Sequence, residues 1–183
     1  MLELAREVAQ RVRVLVLDVD GVLTRPQIVL GKDGELLMEF SARDGIAIRL
    51  AQLAGIDVVF LSARAPEIVR SRARMLGVSD VRLGQERKLP VLKRIAGERG
   101  LQLTDVAYVG DDLVDIGPVE AAGLGVAVCD ACSDLKRVAR FVTEARGGEG
   151  AVREVVEAVL KARGEWRSTM DRYFSERAEG QPE

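Results

Sequence analysis

Histidine is absent from this 183-residue chain, and cysteine occurs only twice. The two thiols, Cys129 and Cys132, have CxxC spacing. Without a second pair or any histidine, that is a poor zinc site. Nothing around Asp130 and Ala131 suggests a thioredoxin-like setting, so the pair reads as two partly buried thiols. Reduced cysteines fit a cytoplasmic protein. Charge of one sign is also missing. The chain has 27 basic and 29 acidic residues, a net charge of −2. That excludes a general pull towards nucleic acid or an anionic membrane. No apolar run approaches the roughly 18 residues of a membrane span. The start, MLELAREVAQR, has no signal-peptide pattern. Internal repeats and linkers are lacking too, so one domain over residues 1–163 is expected, followed by a polar tail over 164–183.

What remains is ordinary for a globular protein: 48% apolar and 31% charged residues, in a chain long enough for a full core. Val14–Thr24, VLVLDVDGVLT, is its most informative stretch. Four apolar residues predict a buried strand, and Asp18 and Asp20 follow at its tip. Side chains alternate along a strand, so the two acids share a side, with Val19 opposite. Residues 56–62 and 105–112 predict two further buried strands, ending in Ser62 and in Asp111-Asp112. Shorter strands are expected near 81–83, 125–128 and 141–143. Helices are expected over 3–12, about 41–55, 66–76, 88–98, 115–122, 136–140 and 151–162. Two extended pieces around Gly31-Lys32-Asp33-Gly34 predict a β-hairpin over 27–40. Alternating strands and helices imply an α/β fold, a doubly wound parallel sheet with helices on both faces.

A parallel sheet aligns its strand ends at one edge, where open α/β sheets bind ligands. That edge would gather Asp18, Asp20, Asp111, Asp112 and Asp115, together with Ser62 and Lys88. Crowded carboxylates repel one another and are costly to desolvate. A hard cation relieves this. With no histidine and no well-placed thiol, the donor set favours magnesium over zinc. Such a site suits phosphoryl transfer. One carboxylate attacks as nucleophile and another carries a proton, while Lys88 and Ser62 hold phosphate oxygens. A phosphorylatable receiver-like signalling domain uses a similar set, but places its accepting aspartate on the third strand.

The motifs DVDGVLT, Ser62, Lys88 and GDDLVD (110–115), in that order and spacing, resemble those of the haloacid dehalogenase superfamily of phosphohydrolases. The resemblance implies that Asp18 is the nucleophile and Asp20 the acid/base. It also implies that Asp18, the backbone carbonyl of Asp20 and Asp111 bind Mg2+, supported by Asp112 or Asp115. FSARDG (40–45), LSAR (61–64), GQERK (84–88), YVGDDLVD (108–115) and GGEGAVREV (147–155) resemble a narrower, capless branch, the 3-deoxy-D-manno-octulosonate 8-phosphate phosphatases. That likeness implies a homotetramer in which the hairpin helps to cover a neighbour's site. It places Arg43, Asp44 and Gly45 on the substrate side, with Ala63 and Arg64 in the second motif. Two positions depart from the branch: its TGR-like segment is SAR here, and its alanine-histidine is Ala131-Cys132. Related members act on nine-carbon, sialic-acid-like sugar phosphates, so that substrate class is the alternative.

Overall fold

The computed structural model describes residues 6–32 and 36–179. Six parallel strands form the sheet, in the order β5-β4-β1-β6-β7-β8. They are β1 (Val14–Leu17), β4 (Asp57–Leu61), β5 (Asp80–Arg82), β6 (Val106–Gly110), β7 (Leu124–Ala127) and β8 (Phe141–Val142). All four residues of β1 are buried. A strand covered on both faces needs such an unbroken apolar run, which is how VLVL betrays its central place. β1 pairs with β4 on one side and β6 on the other. The chain first winds outwards from β1 through β4 and β5, then returns to β6 and winds the other way. The reversal puts the topological switch between β1 and β6, where a crevice opens beyond the carboxyl ends.

The helices are α1 (Arg6–Arg11), α2 (Ala42–Leu53), α3 (Glu67–Met75), α4 (Lys88–Glu98), α5 (Ile116–Ala121), α6 (Ser133–Val138), α7 (Ala151–Arg163) and α8 (Trp166–Glu179). The hairpin forms as expected, with β2 (Val29–Leu30) antiparallel to β3 (Leu36–Leu37). Its turn residues 33–35 lie outside the described residues, as does the start of the expected first helix. No cap domain stands over the strand ends among the described residues.

Two expectations need correction. The sixth helix begins at Ser133, three residues before the expected start, because Cys132 already takes the extended N-cap conformation. The stretch from residue 164, expected as a polar tail, contains the helix α8 packed on α2 and α7. Trp166, Met170 and Tyr173 face the core, and Thr169 is buried. Arg49 meets Glu176 at 2.8 Å, and Arg172 donates to the Leu53 carbonyl. These contacts tie α8 along α2. No helix among the described residues is long and apolar enough to cross a membrane.

Candidate active site

Asp18 immediately follows β1. Its N–H donates to Val109 O at 3.1 Å, which keeps it in line with the sheet. The chain then turns at once, with the N–H groups of Val22, Leu23 and Thr24 converging on Val19 O. Asp20 therefore lies on a turn rather than on the strand. Gly21 has φ +91°, and a Cβ there would stand 2.0 Å from Asp111 Oδ2. Only glycine lets the β6 end approach the β1 turn this closely. Behind the turn, the Gly148 N–H donates to Val22 O at 2.8 Å, and a Cβ on Gly147 would meet Gly21 O at 1.7 Å. The glycines of GGEG thus form the expected turn ahead of α7 and also seat the turn that follows Asp18.

Lys88, the first residue of α4, reaches under this edge. Its Nζ lies 2.7 Å from Asp18 Oδ1 and 2.7 Å from Asp115 Oδ1. All three residues are at most 4% exposed. Burial opposes the charge on Lys88, but Asp18 and Asp115 outweigh it and hold the ammonium above its usual range. Carboxylate oxygens of Asp18, Asp111 and Asp115 lie within 4.8 Å of one another. Burial, and then the neighbouring Asp115, push Asp18 well up and raise Asp111 to about 7. The cause is a charge deficit: three carboxylates share one buried ammonium. A divalent cation with oxygen ligands supplies the two missing positive charges, so the donor set fits a hard metal.

The three acids are not equivalent. Asp115 Oδ1 accepts from Lys88 Nζ and from Tyr108 OH, the latter at 2.6 Å. Asp115 Oδ2 accepts from the N–H groups of Asp111 at 3.0 Å and Asp112 at 3.4 Å. A carboxylate has about four lone-pair sites, and here all are occupied. Asp115 therefore anchors Lys88 and the β6 loop, leaving Asp18 and Asp111 with oxygens to offer a cation. Asp112 is exposed, and its Oδ1 accepts from Leu113 N–H at 2.8 Å, capping the short turn that follows.

Asp20 turns to the rim. Its Oδ1 pairs with Arg64 Nη1 at 2.7 Å, and its Oδ2 accepts from Ser62 Oγ at 3.4 Å. Ser62 Oγ accepts the Arg64 N–H in turn, at 3.0 Å. Ser62, Ala63 and Arg64 thus form a short loop beyond β4 that holds the Asp20 side chain. Arg43 is exposed on the first turn of α2. Asp44 departs from the expected substrate contact. It is 1% exposed, and its two oxygens accept from Gly150 N–H at 3.2 Å and Arg153 N–H at 2.8 Å. The carboxylate caps α7 instead of facing a ligand. Gly45 is buried beside α3, where a Cβ would come 2.7 Å from Arg72 Nη2. Both cysteines are free and half-buried, as the sequence suggested. Sequence reasoning missed Tyr108. It reads as one more core residue of β6, yet its hydroxyl enters the acid network.

Three crowded carboxylates and a buried ammonium at the switch point of a doubly wound sheet fit a phosphoryl-transfer hydrolase. The sequence pattern of haloacid dehalogenase-like hydrolases matches residues 84–155. The chain is 42% identical over 156 residues to the 3-deoxy-D-manno-octulosonate 8-phosphate phosphatase KdsC of Escherichia coli K12, covering 85% of this chain and 83% of that protein. It is 40% identical to the phosphatase of the same description from Yersinia pestis, covering 84% and 82%. Among solved structures it resembles the Moraxella catarrhalis enzyme of that name in complex with a magnesium ion, a phosphate ion and KDO. That match has a TM-score of 0.89 at 33% identity and covers 92% of this chain and 97% of that one. The cobalt-bound Haemophilus influenzae phosphatase matches with a TM-score of 0.83 at 34% identity, over 86% and 92%. The chain belongs to the haloacid dehalogenase-like hydrolases, as one of their phosphatases. A receiver domain is thereby set aside.

Proposed function

We propose that this protein releases phosphate from 3-deoxy-D-manno-octulosonate 8-phosphate with Mg2+ as cofactor, using one catalytic domain with an α8 extension. The observation that carries the chemistry is the Lys88 ammonium held 2.7 Å from both Asp18 and Asp115. The sugar rests on the relatives' specificity and on the extent of the likeness. Asp18, the backbone carbonyl of Asp20 and Asp111 would hold the cation. When bound, it neutralises the acid pair and the incoming phosphate, which the bare site repels.

The chain's own residues do the rest. Asp18 attacks phosphorus; its Oδ–P bond forms as the bond to the sugar oxygen breaks. Asp20, on the rim, gives its proton to that leaving oxygen. Asp20 then takes a proton from water, which attacks the aspartyl-phosphate and frees Asp18. Among the described residues Lys88 has two partners, which leaves its third N–H for a phosphate oxygen. Arg64 and Ser62 orient Asp20 and stand where the phosphate and sugar enter.

The test is phosphate release across sugar phosphates, including eight- and nine-carbon keto acids. We expect the eight-carbon substrate to give the highest kcat/KM. Chelation should abolish turnover, and added Mg2+ should restore it. A nine-carbon preference would reassign the sugar, and turnover unaffected by chelator would remove the metal from the reading.

The hairpin supports an assembly. Ile28, Val29, Leu30 and Leu37 are all more than half exposed among the described residues, an apolar group on one hairpin. We take it as the contact of a homotetramer that helps to close a neighbouring site. Deleting residues 27–38 should yield smaller species by light scattering. A tetramer that survives the deletion would refute the hairpin's role.

A further inference from the structure

Tyr108 is fully buried at the centre of β6, yet its hydroxyl donates to Asp115. Asp115 Oδ1 is shared between two donors of different kinds, a neutral phenol at 2.6 Å and a charged ammonium at 2.7 Å. Lys88 is likewise shared, between Asp115 and Asp18. The position of the ammonium is a balance between two carboxylates. Whatever satisfies Asp115 from behind weakens its pull on Lys88.

We infer that Tyr108 is a positioning residue: its hydroxyl takes one lone pair of Asp115 Oδ1 and so sets where the Lys88 ammonium stands between Asp115 and Asp18. The inference rests on the reading of Asp18 as nucleophile. Without the hydroxyl, a buried acceptor loses a partner and draws the ammonium closer. Lys88 then serves Asp18 and the transferring phosphate less well. The apolar packing of the ring is untouched. The effect therefore falls on the chemical step rather than on substrate capture.

Tyr108→Phe tests this, assayed with the eight-carbon sugar phosphate and with p-nitrophenyl phosphate. We expect kcat to fall about 10–100-fold, the usual range for an outer-shell partner. KM should stay within about threefold, since the change acts on Lys88 through Asp115 and leaves the rim residues in place. Val159→Ala, a core truncation on α7, serves as the stability control. A kcat within about twofold of wild type would overturn the role. So would a loss matched by Val159→Ala at equal melting temperature. Should Tyr108→Phe not fold, 3-fluorotyrosine replaces it. The chain has two tyrosines, so a Tyr173→Phe background confines the label to Tyr108. The fluorinated phenol is a stronger donor, and kcat should shift severalfold with the melting temperature unchanged; an unchanged kcat counts against the role. Asp18→Asn is run alongside: an active Asp18→Asn enzyme overturns the nucleophile, whereas an inert Asp18→Asn with a fully active Tyr108→Phe overturns only this inference.

Discussion

Asp18→Asn should lower phosphate release by on the order of 10⁵-fold, as expected when a covalent nucleophile is lost. The amide keeps the shape of the side chain and replaces one carboxylate oxygen, removing the attacking charge and its share of the pairing with Lys88. The same change should leave the metal-free protein as stable as before, or raise its melting temperature by a few degrees. The sign follows from the direction of the Asp18 pKa. Burial and Asp115 push it upward, so its ionised form costs stability, and that cost grows as pH rises from the unfolded carboxylate range towards the folded value. An amide does not ionise and escapes the cost. Lys88 still has Asp115 as a partner. Phosphate release and a thermal melt with chelator present measure the two effects. Retained turnover would remove Asp18 from the nucleophile's role, and a large drop in melting temperature would contradict the charge deficit.

Lys88→Met should fail on both counts. The variant leaves Asp18 and Asp115 buried with no ammonium between them. Removing one partner of a buried pair costs about 3–5 kcal/mol. For a chain of this size that is a melting temperature lower by on the order of 10 °C. Activity should fall by about 10²–10³-fold, the loss typical of a missing transition-state donor. Added Mg2+ should recover part of the stability and little of the activity, because the cation supplies charge without the N–H aimed at phosphate. A Lys88→Met protein as stable as wild type would show that Asp18 and Asp115 do not depend on this ammonium.

The opposite stability effects of the two variants separate what the sequence can reveal from what it cannot. Asp18, Asp111 and Lys88 were readable because a parallel sheet brings its strand ends to one edge whatever the loops do. The physical basis of their unequal tasks was not readable. Asp115 is saturated only because Tyr108, Lys88 and two N–H groups of the β6 loop converge on it, and spacing does not disclose convergence. Tyr108 sits within VAYVG, where an aromatic residue reads as packing. Asp44 carried a family-like signature, but its partners lie 106 and 109 residues away. The helix α8 had a signal, with Trp166, Met170 and Tyr173 at helical spacing. Those side chains read as core or subunit contacts, and they line up on one helix face because α2 and α7 lie beneath it.

The seating of the Asp18 turn by Gly147 and Gly148 has a consequence for biosynthesis. The turn belongs to the first residues of the sheet, yet its supports come from the last third of the chain. Contacts so distant in sequence form late, since the intervening loop must close first. A nascent chain emerging as far as β7 already carries Asp18, Ser62, Lys88 and Asp111, but the turn between Asp18 and Arg25 still lacks its support from Gly147 and Gly148. We expect the turn to gain that support only after the GGEG segment has left the ribosome and docked. A chain ending before residue 147 should therefore carry the motifs and lack activity, which phosphate release from such a truncation measures.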